Sequence, residues 1–102
     1  MYKVEFISTF YEDIQNIVSA LDEYPDMAKR IFEKMDVKIR NLTKTPMMYP
    51  IYDDFPEFRK IIIEDYLMFY AVDEKNKLIE MHRLLYGRMD LKNFFKWFKH
   101  IV

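Results

Sequence analysis

The chain contains no cysteine, which removes disulfides, thiolate metal sites and cysteine nucleophiles together and fits a reducing compartment. Glycine is nearly as scarce, with Gly87 the single one in 102 residues. Glycine-rich phosphate loops and dinucleotide fingerprints are therefore excluded, and no HExxH pattern is present. Two histidines without cysteine do not support a structural zinc site, and neither a metal nor any other cofactor is expected. Long apolar runs are missing as well: none approaches the roughly 18 residues that a membrane span needs. The opening MYKVEFISTF lacks the unbroken apolar core of a secretory signal. A soluble, cytoplasmic protein with no membrane attachment is the expectation. Excess charge of one sign is absent too. Sixteen Lys and Arg stand against 17 Asp and Glu, a net charge of −1, which argues against a large electrostatic footprint for nucleic acid.

Core-forming material is plentiful: 51% of residues are hydrophobic and 18% aromatic, in a chain the size of one domain, residues 1–102. The near-neutral mean hides a gradient. Residues 1–26 carry Lys3 against Glu5, Glu12, Asp13, Asp22, Glu23 and Asp26, whereas residues 83–102 carry Arg83, Arg88, Lys92, Lys96 and Lys99 against Asp90. The two ends could serve different partners, or form two solvated faces of opposite sign.

Periodicity gives the elements. Tyr2–Ile7 alternates as a short strand with Val4 and Phe6 inward. Thr9 followed by Glu12 fits a capping box, so a helix is expected from there, with Phe10, Ile14, Ile17, Val18 and Leu21 on its apolar side. Pro25 suits the first turn of a second helix bearing Ala28, Ile31, Phe32, Met35, Ile39 and Leu42 on one stripe. About three residues separate the two, so an antiparallel helix hairpin follows. Residues 43–56 hold three of the four prolines and read as an irregular connection. Phe58–Ile63, Tyr66–Val72 and Leu78–Leu85 then read as three strands, joined by short polar turns into an antiparallel meander. The segment 91–102, LKNFFKWFKHIV, has the spacing of a terminal amphipathic helix. The order β-α-α-β-β-β(-α) predicts an α+β domain whose helix hairpin packs on one face of a mainly antiparallel four-stranded sheet.

A two-residue turn at Glu64-Asp65 would set Ile63 opposite Tyr66 and fix the strand faces. Arg59, Ile61, Ile63, Tyr66, Met68, Tyr70, Val72, Ile79, Met81, Arg83 and Leu85 then share the face that takes the helices. Phe58, Lys60, Ile62, Glu64, Leu67, Phe69, Ala71, Leu78, Glu80, His82, Leu84 and Tyr86 share the other. That second face is a candidate partner-binding surface, or it is covered by the terminal helix folding back. His82 and Tyr86 lie on it with Lys60 one strand over, and Arg88 follows Gly87. A histidine for proton transfer, a phenol and two cations suit phosphodiester chemistry, although each is also an ordinary structural residue. Gly87 is expected to turn the chain off the last strand so that Arg88 stands at the sheet's end.

The run FRKIIIEDYLMFYAVDEKNKLIEMHRLLYGRMD, residues 58–90, resembles the C-terminal half of the RelE/ParE superfamily of toxins. The likeness rests on Phe58-Arg59-Lys60 opening a strand, Tyr66 and Phe69-Tyr70 in the next, the polar turn at Asp73, and Leu85-Tyr86-Gly87-Arg88 followed by Asp90; the leading strand and helix hairpin match as well. This resemblance implies the toxin of a type II toxin–antitoxin pair, held inactive by a cognate antitoxin protein, as a hetero-oligomer or alongside a homo-oligomer. RelE-like members inhibit translation by cleaving messenger RNA on the ribosome, without a metal. Under that expectation Lys60, His82, Tyr86 and Arg88 are the catalytic candidates, with Arg59, Arg83, Lys92, Phe94 and Lys96 contacting RNA or another target. ParE-like members instead inhibit DNA gyrase, with Trp97 and Phe98 the first suspects for contact here, and a relative that has lost toxicity is the third reading. The sequence departs from the RelE pattern in matching only Lys60 among the basic residues of the open face, and in carrying Phe94 where a tyrosine is expected. The Tyr-Gly-Arg-x-Asp ending is closer to the ParE branch.

Overall fold

A computed structural model describes residues 1–88 of the chain. Along them run β1 (Lys3–Phe6), α1 (Ser8–Ala20), α2 (Pro25–Leu42), β2 (Arg59–Ile63), β3 (Tyr66–Asp73) and β4 (Leu78–Tyr86). The expected terminal helix over 91–102 lies outside the described residues. β2, β3 and β4 form the antiparallel meander, and β1 joins β4 in parallel, giving the strand order β1-β4-β3-β2. The helices cover one face of this mixed sheet, so the architecture is the α+β one that the periodicity predicts.

Each helix is held by its apolar stripe. α2 begins with Pro25 in its first turn, where the missing N–H costs no hydrogen bond, and buries Ile31, Met35, Ile39 and Leu42 at helical spacing. α1 buries Phe10, Asp13 and Ile17. These side chains meet Ile61, Ile63, Tyr66, Met68, Tyr70, Ile79, Met81 and Leu84 from the sheet to form the main core. Three details depart from expectation. Ile7, not Thr9, occupies the N-cap, and the Thr9 hydroxyl instead donates to the His82 carbonyl at 2.8 Å, so the capping box gives way to a helix–sheet tie. Val18 faces solvent, since the stripe of α1 runs through Asp13 and Ile17 and not through it. Phe6 stays 38% exposed at the end of an edge strand, its ring against those of Phe10 and Tyr11.

The turn at Glu64-Asp65 sets Ile63 opposite Tyr66 as predicted. Glu64 adopts a left-handed φ of 53°, and Arg30 of α2 grips its carboxylate with two hydrogen bonds of 2.8 and 2.9 Å, Lys34 adding a contact at 3.4 Å. The β3–β4 ladder carries the main surprise. Phe69 pairs with Arg83 and Tyr70 with Met81, so His82 is an extra residue in β4. Such a bulge reverses the facing of everything beyond it. Leu84 enters the main core and Leu85 passes to the other side, the opposite of what strict alternation predicts.

The reverse face is not bare. Residues of the connection lie across it: Phe55 and Phe58 pack with Phe69 and Leu85 in a second buried cluster, flanked by Tyr52, Leu67 and Ala71. The connection itself is tied down. The Tyr70 hydroxyl donates to the Pro46 carbonyl at 2.7 Å, Lys60 N–H donates to the Pro50 carbonyl, and Tyr52 N–H donates to the Phe58 carbonyl. We call residues 52–58 the aromatic strap.

Candidate functional site

On the reverse face Lys60 pairs across the ladder with Phe69, whose ring is fully buried under the strap. The Lys60 ammonium sits 5.6 Å from the centre of the Tyr52 ring, a cation–π contact. On the far side of Phe69, at the bulge, the His82 ring meets Phe58 edge-on at 5.1 Å, with its Nε2 3.9 Å from a Glu80 oxygen. Burial pushes the His82 imidazole below its ordinary value, the neighbouring Glu80 carboxylate opposing that shift. Burial likewise raises the Tyr52 phenol, with Asp54 adding to it. Lys60 and His82 thus share one face, separated by the strap's rings, while Ile62 beside them is 61% exposed.

The other candidates go elsewhere. Tyr86, beyond the bulge, pairs with Tyr66, their rings 5.7 Å apart, and lines a groove of about 400 Å³ with Asp13, Asn16, Ile17, Ala20 and Leu84. It therefore lies on the helix side, not with His82 and Lys60 as expected, because the extra residue in β4 reverses the alternation. Arg88 is exposed at the end of the described residues. Arg83, expected as a target contact, grips the Asp13 carboxylate of α1 with its guanidinium, through Nε at 2.7 Å and a terminal nitrogen at 2.8 Å. Arg59, another expected contact, donates to the Tyr49 carbonyl at 2.7 Å and to that of Met47, anchoring the connection. Lys92, Phe94, Lys96, Trp97 and Phe98 lie outside the described residues.

β4 ends at Tyr86 and the chain turns at Gly87 and Arg88, as expected, without a positive φ at the glycine. Its N–H donates to the Asp65 carbonyl at 2.7 Å, and a Cβ at this position would stand 3.0 Å from that same oxygen. Close approach of two backbones at this turn, and not a left-handed φ, is what requires glycine here. The sequence reading missed Asp13, whose carboxylate also accepts the Leu84 N–H at 2.9 Å, and the strap residues Tyr52 and Phe55. Both left a signal: a carboxylate set between Phe10 and Ile17 on an apolar stripe, and aromatics at positions 52, 55 and 58 of the connection.

Elsewhere, a cleft of about 640 Å³ opens where the connection meets the sheet, lined by Arg59 together with Glu57, Asp73, Glu74 and Glu80. Four carboxylates to one guanidinium make a poor seat for a polyanion. Among the described residues no cluster of three acidic or histidine side chains could hold a metal ion, and no helix is long and apolar enough to cross a membrane.

Comparison with known proteins gives a consistent picture. The profile of a family described as the ParE toxin of the type II toxin–antitoxin system, parDE, matches residues 4–91. No curated protein sequence matches. Among solved structures, the chain is similar to the isolated RelE toxin of E. coli, with 13% identity, a TM-score of 0.63 and all of both chains covered. It is similar to a chain of a RelBE toxin–antitoxin complex of Mycobacterium tuberculosis, with 15% identity, a TM-score of 0.61, and 83% of this chain and 90% of that one covered. It is also similar to a chain of the archaeal RelE–RelB complex of Pyrococcus horikoshii OT3, with 19% identity, a TM-score of 0.50, and 85% and 96% covered. At these identities the solved structures establish the shared fold.

Proposed function

The chain belongs to the ParE toxin family of type II toxin–antitoxin systems, and on that premise we propose that it arrests growth by binding a protein target and not by cutting messenger RNA. DNA gyrase is the target that likeness to the ParE branch implies. The observation that carries this reading is the separation of the catalytic candidates. Transfer of protons to and from a phosphodiester needs its acid, base and cations around one reacting phosphate, within hydrogen-bond reach. Here Tyr86 lies on the helix side of the sheet, while Lys60 and His82 lie on the reverse side. His82 has its ring against Phe58, and the Lys60 ammonium sits over Tyr52. The net charge of −1 and the acidic cleft supply no attraction for the ribosome's RNA. What remains outward is suited to protein contact: Ile62 on the reverse face, and Tyr86 and Arg88 at the sheet's end.

A cognate antitoxin is the partner that holds such a toxin inactive, in keeping with the two similar structures solved as toxin–antitoxin complexes. Adding the purified chain to a gyrase supercoiling reaction and, separately, to a translation reaction with mapped transcripts tests the proposal. Loss of supercoiling with accumulation of cleaved DNA and intact transcripts is expected, and a variant carrying both Lys60→Ala and His82→Ala is expected to inhibit supercoiling as well as the parent. Transcript cleavage on the ribosome that disappears in that variant would overturn it.

A further inference from the structure

β1 ends the sheet. Among the described residues it pairs only with β4, and its outer side carries no ladder. The pairing already present fixes which groups that side offers. Lys3 N–H donates to the Lys77 carbonyl and Ile7 N–H to the Met81 carbonyl, so the odd-numbered residues point their backbone groups at β4. By the alternation of a strand, Val4 and Phe6 turn theirs outward. Tyr2 N–H is taken by the Thr43 carbonyl at 3.1 Å, which bounds the free edge on one side.

The side chains along this edge are complementary to their own reversal. Lys3 and Glu5 flank Val4, both exposed, and neither has an ion-pair partner among the described residues. Moreover, Glu5 stands beside Glu80 in the β1–β4 register, so the sheet places two carboxylates next to each other on its reverse face. On the helix side of the same edge Phe6 remains 38% exposed beside the exposed Tyr11.

We propose that β1 is a self-association edge, at which two copies of this chain pair antiparallel with Val4 on the two-fold axis. In that register Val4 faces Val4 of the second copy, Lys3 faces Glu5, and Phe6 faces Tyr2. Val4, with both backbone groups outward, forms a hydrogen-bonded pair with its counterpart, and the backbone ladder ends before Tyr2, whose N–H Thr43 already takes. Lys3 and Glu5 fall at non-hydrogen-bonded positions, where cross-strand side chains come closest. Each Lys3 then brings a cation to the carboxylate that Glu5 and Glu80 otherwise crowd. Phe6 gains an aromatic neighbour on the core side. A register shifted by one residue sets Lys3 against Phe6 and loses both ion pairs, so the charges select the pairing as well as strengthen it. The two sheets join into one continuous layer, with the strap and Arg88 left outside the contact.

Sedimentation velocity across a concentration series, with the full chain, tests this. The parent is expected to show a concentration-dependent monomer–dimer equilibrium. Lys3→Glu alone or Glu5→Lys alone turns both cross-axis pairs into like-charge pairs and is expected to weaken dimerisation about tenfold or more, with an unchanged circular dichroism spectrum. Combining Lys3→Glu with Glu5→Lys exchanges the charges and restores the complement, so dimerisation returns to within about threefold of the parent. A chain that remains monomeric to about millimolar concentration, whether because the edge is vacant or because it takes a strand of a different protein, overturns the proposal. So does a dimer indifferent to the single reversals, or one that the exchange fails to rescue.

Discussion

At the scale of single residues, the contact between Asp13 and Arg83 is the tie that most shapes the fold. Asp13 is 5% exposed, and its two oxygens satisfy the Arg83 guanidinium and the Leu84 N–H just past the bulge, fixing α1 to β4. Removing one member of a buried pair leaves the other in low dielectric, so Asp13→Ala is expected to destabilise by about 3–5 kcal/mol, read from the urea unfolding midpoint. Replacing both, with Leu at 13 and Met at 83, is expected to lose much less, because no isolated charge is left behind. Gly87→Ala belongs to the same scale. Its new methyl would meet the Asp65 carbonyl at 3.0 Å, and the hairpin must open to admit it, at about 1–3 kcal/mol in thermal unfolding. The sequence marked Gly87 as the place where the chain leaves the last strand, but spacing along β4 says nothing of which backbone it meets there, the Asp65 carbonyl of the β2–β3 turn.

At the scale of elements, the β2–β3 turn is clamped to α2 through Glu64. The hydrogen bonds from Arg30 hold the Glu64 carboxyl well below its ordinary value, at about 2, with Lys34 assisting and partial desolvation opposing. A carboxyl depressed in the folded state adds stability that is fully present above its unfolded value of about 4.3 and is lost as pH falls through about 2. The stability difference between the parent and Glu64→Gln is therefore expected to be constant from neutral pH to about 5 and to shrink toward zero near pH 2, measured by denaturant titration at each pH. The strap makes its own prediction. Phe55 is buried against Phe58, Phe69 and Leu85, so Phe55→Ala is expected to destabilise by about 3 kcal/mol and to shift the tyrosine fluorescence of Tyr52 as the strap loosens. The helix hairpin and the meander were legible in residue spacing, because amphipathic helices and alternating strands declare their own periods. The strap was not, since an irregular, proline-containing segment has no period to read, and its aromatics acquire a surface to cover only once the sheet exists.

At the scale of the whole molecule, the sheet is protected unequally. β3 and β4 are hydrogen-bonded on both sides and covered by the helices, with the strap over part of the reverse face, whereas β1 and β2 are its margins. The slowest amide hydrogen exchange is expected at Met68, Tyr70, Ile79 and Met81, and faster exchange at Val4 and Ile62, measured under native conditions. Among the described residues the inequality leaves the outer side of β1 and the sheet's end open, while the connection bonds to β2 at Arg59 and Lys60 and closes the middle of the reverse face.

Local patterning by itself determined the α+β class, the helix hairpin, the two-residue turn and the pairing of β2 with β3, because each depends on neighbours a few positions apart. It also singled out Lys60, His82, Tyr86 and Arg88, which are chemical types visible in any order of letters. Only the tertiary structure decided their company. One additional residue in β4, held where Thr9 meets the His82 carbonyl and Asp13 meets Arg83 and the Leu84 N–H, sends Tyr86 to one side of the sheet and leaves His82 on the other. Both partners of that hold come from α1, some 70 positions away (Thr9 and His82 are 73 apart), and alternation along β4 carries no trace of them.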